Sequence, residues 1–555
     1  MRRFALYALL VAMPFGVAAQ QPPSSASSTP EAGSILRDIQ RALPGAPAPQ
    51  LPARPLTEPA PRSKGDEVFQ VKRFQLSGVN LVAPVDVQAV LRPWLNRDVV
   101  FADLERALQA IAEFYQERGW YVRPSLPEQD VVDGVVRIDI IEAKLGAIRF
   151  DQSLAEALWP ISRDRLERTF TSRLSPGDPL SLSQMNRSVS ILNETPGVGV
   201  KAALDASEQP GATDMLITVE RKAPFSGSVS LDNQGARSTG YARVSVNANY
   251  DNPRNVGDQI QTNLMASEGL RYARLGYGVP IGYDGMRLAF NGSALHYRLV
   301  KGFDSPGGTF GDARTRGAVL THPWWRAAHG NVNFSLTLND ADYENYFDGK
   351  ETSRKAGRTA AFGVSGDLYD QAFGGGTNIW GLSLTHGKVV KPLTKLTGNL
   401  ARLQRLGEKT SVWMSFNGQF AANNLDSSEK FSIAGAQGVR AYPGTQGSGD
   451  HGWLLSIEGR FNLTPVMQYT LFHDQARVIL NRDPSGLKPE NPQGLNSFQL
   501  RGVGMGLSYS ITPKTSAKLS WSRRLGDNPV PSSVGADADG TRLLNRFWLN
   551  MTSYL

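Results

Sequence analysis

The sequence predicts a transmembrane antiparallel β-barrel of about 16 strands, preceded by two small α+β modules and an N-terminal amphipathic helix. Three observations predict it. From Ala223 to the end, the chain breaks into segments in which apolar and polar residues alternate with period two, separated by Gly, Asn, Asp and Pro turns. The first residues read as a secretory leader, so the mature chain leaves the cytoplasm. No later stretch of about 18 apolar residues exists, so only a closed barrel can span a bilayer with every backbone group paired.

Composition sets the outer limits. At 555 residues and roughly 150 per domain, three or four domains are expected. The net charge of +8 is spread along the chain with no basic block, which argues against a nucleic-acid partner. Cysteine is absent, which removes disulfides, thiolate metal sites and a thiol nucleophile. A mean hydropathy of −0.29 fits a soluble protein or a barrel equally, because barrel strands alternate lipid-facing and lumen-facing residues.

Residues 1–19 form the leader: Arg2 and Arg3, an apolar run from Phe4 to Met13, and the small residues Val17-Ala18-Ala19 before the cleavage point. Residues 20–43 comprise a Ser/Pro/Gln-rich tail and a helical pattern from Glu31 to Leu43. Its apolar residues are Ile35, Leu36, Ile39 and Leu43, with Ile35, Ile39 and Leu43 on one face. So short a helix is marginal in water and needs a surface to dock on. Residues 44–67 are a Pro-rich linker, extended at ~3.1 Å per residue where polyproline-like.

Residues 68–142 read strand, helix, helix, strand, strand. The first strand is placed near Phe69–Leu76, a short helix near Val85–Leu95, and a longer helix carries Leu104, Leu108, Ile111 and Tyr115 as one stripe ending at Gly119. Residues 143–221 repeat the plan, with Leu182, Met185, Val189 and Leu192 as the helix stripe.

Residues 222–555 form the barrel. Val244, Val246, Ala248 and Tyr250 alternate with Ser245, Asn247 and Asn249; Phe334, Leu336 and Leu338 with Ser335, Thr337 and Asn339; Met505, Leu507, Tyr509 and Ile511 with Gly506, Ser508 and Ser510. Strands of nine or ten residues are expected, with Tyr250, Trp324, Trp325, Trp521 and Trp548 as interfacial aromatics. The 333 residues from 223 to 555, at ~20 per tilted strand and connection, give about 16 strands.

Several stretches in this order carry a resemblance. Gly119-Trp120-Tyr121-Val122 with Asp133-Gly134-Val135-Val136, then Leu192 to Val198 (LNETPGV), then Asp232-Asn233-Gln234-Gly235 with Asp251-Asn252-Pro253 and Gly257-Asp258 resemble the successive modules of the two-partner secretion outer-membrane transporters, the TpsB or hemolysin secretion/activation family. Gly438-Val439-Arg440-Ala441-Tyr442 resembles that family's pore motif in the sixth extracellular loop, and Phe472-His473-Asp474-Gln475-Ala476 its partner motif on the barrel wall. Ala441 and Ala476 stand where the family has glycine, and the final Leu555 where it usually has an aromatic residue. The resemblance implies two POTRA domains in the periplasm and a 16-stranded outer-membrane pore. It also implies a resting plug at Glu31–Leu43 and a latch between Arg440 and Asp474, for which a guanidinium and a carboxylate supply bidentate geometry.

The implied partners are outer-membrane lipid and a large β-helical exoprotein: a TpsA-like adhesin, a hemolysin, a contact-dependent toxin or a haem-binding protein. Transport would proceed without ATP, through a monomeric pore. The alternative is a protein-insertion factor of the same superfamily, which generally lacks the N-terminal helix and linker. Enzymatic activity is not expected, nor a cofactor or metal. The chain has no G-x-x-x-x-G-K-[ST] loop and no G-x-S-x-G elbow, and none of its six histidines has H-E-x-x-H spacing.

Overall fold

A computed structural model describes residues 30–43, 68–151, 158–301, 307–327, 329–488 and 490–555. The expected leader, the tail before Pro30 and the Pro-rich linker lie outside the described residues.

In the first module, helices α2 (Pro84–Leu91) and α3 (Phe101–Glu117) pack on a three-stranded sheet. The sheet order is Arg73–Ser77, Val135–Glu142, Val122–Ser125, with the first pair parallel and the second antiparallel. The buried stripe of α3 is Leu104, Ala107, Ile111 and Tyr115; Leu108 is only half-buried. Gly119 takes φ +83° just past the helix, a conformation open to glycine without a Cβ penalty. A two-residue pairing of Phe69–Gln70 with Asp98–Val99, too short to leave a sequence pattern, splits off the start of the expected first strand.

The second module places Lys144–Phe150, Ala212–Arg221 and Val198–Ala206 in one sheet, in that order, beneath α4 (Arg163–Thr171) and α5 (Leu182–Glu194). Within the expected α5 stripe Met185 and Leu192 are buried, while Leu182 and Val189 are half-buried against the same core. Backbone bonds tie the modules together: Tyr121 N–H donates to Leu180 O (3.1 Å) and Ala143 N–H to Tyr121 O (3.3 Å).

Sixteen antiparallel strands then close on themselves, the last (Asn545–Tyr554) pairing with the first (Phe225–Asp232) from Asn550↔Asp232 to Tyr554↔Ser228. The apolar parity faces outward: Val244, Leu336, Leu338, Phe416, Met505 and Leu507 are exposed, as lipid-facing residues must be. The expected strand length holds only beside the closure, where Arg243–Asp251 and Gln259–Ser267 have 9 residues each and Thr515–Arg524 has 10. On the opposite side Thr309–Ala327, Gly330–Phe347 and Lys350–Asp370 run to 19, 18 and 21 residues. They continue past the apolar band because their inner face still has a partner there: Ala313, Ala341 and Tyr343 pack in one cluster with the N-terminal helix.

The aromatic expectation needs one correction. Tyr250 and Trp324 lie on the outside, but Trp548 is buried in the lumen, on the polar parity of its strand.

Candidate functional site

The long connection between strands Thr410–Ala421 and His451–Thr464 folds into the bore. Gly438 lets the loop fold tightly on itself, since a Cβ there would lie 2.5 Å from Ile433 O. Arg440 then meets the wall strand Met467–Ile479: its Nε donates to Asp474 Oδ2 (2.8 Å), its Nη2 to Asp474 Oδ1 (2.7 Å), and its backbone N–H to the same carboxylate (3.1 Å). The guanidinium lies 3.4 Å from the ring centre of Phe472, stacked on the other residue of the wall motif. Val439, Ala441 and Tyr442 are buried in an apolar cluster with Ile433, Leu454, Ala476 and Leu500.

Neither Ala441 nor Ala476 is among the described residues with positive φ, so alanine is unstrained at both. The space is supplied opposite, at Gly502, where a Cβ would come within 2.7 Å of the Ala441 Cβ.

Four residues of this site were missed by sequence reasoning. Glu458 accepts from Arg440 Nη1 (2.8 Å), and Ser456 Oγ bridges Arg440 Nη2 (3.0 Å) and Asp474 Oδ1 (2.8 Å). The Arg440 carbonyl accepts from Trp548 Nε1 (2.8 Å) and Ser522 Oγ (2.7 Å). A signal for them existed: all four sit on the lumen parity of strands whose other parity is apolar.

The N-terminal helix α1 (Ala32–Ala42) lies inside the barrel. Its deepest contacts are Ala32, Leu36 and Ile39, spaced i, i+4, i+7, against Tyr272, Leu295, Tyr297 and Leu425, while Ile35 and Leu43 are half-buried at the edge. Gly33 permits close approach, because a Cβ there would lie 2.7 Å from Ser428 Cβ. Polar contacts finish the seat. Glu31 accepts from Lys355 Nζ (2.6 Å) and Ser427 Oγ (2.7 Å); Arg37 donates to Ser427 O (2.7 Å) and Arg41 to Ser432 O (2.7 Å) and Gln437 O. A cavity of about 1640 Å³ remains around the helix, lined by parts of several loops.

The last long loop, 525–544, reaches the same cavity. Arg546 Nη2 donates to Asp537 Oδ2 and Nη1 to Asp539 Oδ2, both at 3.0 Å, and Gln446 Oε1 accepts from Ala538 N–H (2.7 Å).

At the opposite rim the second module is pinned to the barrel turns. Arg173 and Arg187 pair with Asp284 at 2.6 and 2.9 Å, Arg326 pairs with Glu194 at 2.8 Å, and Asn252 Nδ2 donates to Pro160 O. Burial alone would raise the Asp284 pKa; the hydrogen bonds and charges of the two guanidiniums outweigh it and hold the carboxyl below the usual range. The Asn252-Pro253 turn noted in the sequence is therefore a docking point for the module.

Two family models match: the ShlB-type POTRA domain over residues 69–143, and the haemolysin secretion/activation protein family ShlB/FhaC/HecB over residues 211–474. The chain is 25% identical over 563 aligned residues to the heme/hemopexin transporter protein HuxB of Haemophilus influenzae (strain 86-028NP), covering 94% of each. It is 24% identical to the outer membrane transporter CdiB of Escherichia coli O6:K15:H31, covering 82% of this chain and 79% of that one. In fold it matches the solved structure of CdiB from Escherichia coli with a TM-score of 0.67 at 20% identity, covering 90% and 94% of the two chains. With a matched POTRA module ahead of a closed 16-stranded barrel, and relatives matched along most of its length, the chain belongs to the haemolysin secretion/activation family of two-partner secretion outer-membrane transporters.

Proposed function

We propose that this chain passes a large β-helical exoprotein from the periplasm to the cell surface without ATP, through a monomeric pore, after its POTRA modules have captured the cargo in extended form. The module sheets have edge strands at Arg73–Ser77 and Val198–Ala206, the latter capped at Val200 by the Asn193 side chain, where a cargo strand would add; main-chain bonds would give affinity and alternate side chains selectivity. Folding outside makes the passage one-way. The relatives' names span heme/hemopexin and hemolysin transport, which supports a cargo drawn from the secreted adhesins, hemolysins, contact-dependent toxins and haem-binding proteins. No step of this reading asks the chain for catalysis.

The observation that carries it is a short helix lodged in the bore through contacts that are all non-covalent and reversible. An insertion factor has no evident use for such a stopper. The test is secretion: co-expressed with a candidate β-helical exoprotein, the transporter should release that protein to the medium, and the cargo should stay periplasmic without it. Secretion that is unchanged when the transporter is deleted overturns the proposal.

A further inference from the structure

The outer face of the tall wall carries charge that transport does not use. On Thr309–Ala327 the outward residues pass from Leu320 and Ala318 to Arg316, moving toward the rim away from the POTRA modules. On Lys350–Asp370 they pass from Phe362 to Arg358, and on Gly376–Val389 from Leu384 to Lys388. The ladder sets Arg316 opposite Asp340, Asp340 opposite Arg358, and Arg358 opposite Lys388. Three cations and one carboxylate thus occupy four adjacent strands spaced about 4.8 Å apart. The side chains of Arg316 and Arg358 are 78% and 87% exposed. Their pairs with Asp342 (3.5 Å) and Asp340 (3.3 Å) are long and open to solvent, so they are weak.

We infer that this patch binds the phosphate groups of a multiply phosphorylated glycolipid in the outer leaflet of the membrane. The inference rests on the family reading, which places the POTRA modules in the periplasm and this rim at the cell surface. Its position follows from the pattern: the cations begin where the outward residues cease to be apolar, which is the depth of lipid headgroups. Its chemistry follows from the residue types, since each guanidinium fork donates to two phosphate oxygens and the three cations outnumber Asp340 and Asp342, the carboxylates paired with them. Its stiffness follows from the inner face of the same strands, which is packed against α1.

The full mature chain is reconstituted in phosphatidylcholine nanodiscs containing a minor fraction of bisphosphorylated lipid A, its dephosphorylated form, or phosphatidylglycerol. Retained lipid is counted by native mass spectrometry. Bisphosphorylated lipid A should be retained at least about tenfold better than the other two. The Arg316→Ser/Arg358→Ser/Lys388→Ser variant should lose that preference, each cation contributing up to about fivefold. Should the triple variant fail the heat-modifiability check for a folded barrel, the single Lys388→Ser variant is used and should lose a few-fold. Retention by the variant equal to the parent's, or phosphatidylglycerol held as well as lipid A, overturns the inference. Ion conductance in the same preparations separates the two failures, because a chain that conducts but shows no lipid preference leaves the pore reading intact.

Discussion

Replacing Arg440 by alanine tests the latch most directly. The change deletes four side-chain hydrogen bonds, two to Asp474, one to Glu458 and one to Ser456, together with the stack on Phe472. The losses are unequal. Glu458 keeps Arg460, which donates to its Oε2 at 2.7 and 3.0 Å, whereas Asp474 is fully buried and keeps only Ser456 Oγ and the backbone N–H of residue 440. Removing one member of a buried pair costs about 3–5 kcal/mol. The two surviving bonds place this case near the lower end, and about 3 kcal/mol moves the latched-to-unlatched ratio by roughly two orders of magnitude. The strand ladder is untouched, and the bonds from Trp548 and Ser522 go to a carbonyl that alanine retains. The expected variant therefore inserts as a heat-modifiable barrel, exposes residues 433–447 to protease and secretes no cargo. Arg440→Lys, which keeps the charge but not the fork, should fall between. Parental secretion together with parental protease resistance in Arg440→Ala would refute the latch.

Deleting residues 31–43 should enlarge single-channel conductance in planar bilayers, and an unchanged current would show that α1 does not block the bore. Leu36→Asp should mimic part of that effect as longer open times, since it forfeits about 1.5–3 kcal/mol of apolar burial and sets a charge against Tyr297 and Leu295. Trp548→Phe removes one 2.8 Å donor to the Arg440 carbonyl and should loosen the loop by only about 1 kcal/mol, seen as a modest rise in protease sensitivity. The Asp284 pins should respond to acid in one direction. Because its folded pKa is lowered, its contribution to docking is complete above the unperturbed carboxylate pKa of about 3.9 and is lost as pH falls through the lower folded value. Energy transfer between labels on α4 and a barrel turn should stay constant from about pH 7 to 4 and drop only in stronger acid; a drop near pH 6 would point to a histidine instead.

The barrel was legible because its lipid and lumen faces are written at period two. The strand count follows from dividing the segment length by a physical repeat. The lengths of individual strands were not legible: residues such as Asp340 and Asp342 end the apolar pattern although the ladder runs on to Phe347, held by a helix just over three hundred residues away in sequence. Helix α4 was invisible for a local reason. Its nine residues, RDRLERTFT, hold only Leu166 and Phe170 as large apolar groups, too few to define a period. At the latch, Arg440 and Asp474 were found through motifs, while Glu458, Ser456, Ser522 and Trp548 were not. Their role depends on which strands the closed barrel brings around one guanidinium, and no window of sequence contains that. Trp548 shows the cost of reading composition before parity: a tryptophan near a strand end suggests an interface, yet its neighbours Phe547 and Leu549 are the exposed ones.

The stopper and the latch share one piece of chain, and this bears on how a pore without nucleotide can open. Arg37 and Arg41 grip loop six through backbone carbonyls, at Ser427, Lys430, Ser432 and Gln437, and Arg440 follows three residues later. Carbonyl acceptors make the grip of these two arginines depend on the path of the loop, and that path is anchored by Arg440 on the wall. Releasing Arg440 would therefore displace the acceptors that hold α1, and withdrawing α1 would hand those carbonyls back to water. A hundredfold shift between closed and open populations needs only about 2.7 kcal/mol of differential binding. Two or three surface-type hydrogen bonds exchanged for cargo contacts are of that size. A lock divided into several modest, mutually dependent contacts can be opened by binding energy alone, whereas a single deep one would demand a fuel that the periplasm does not provide.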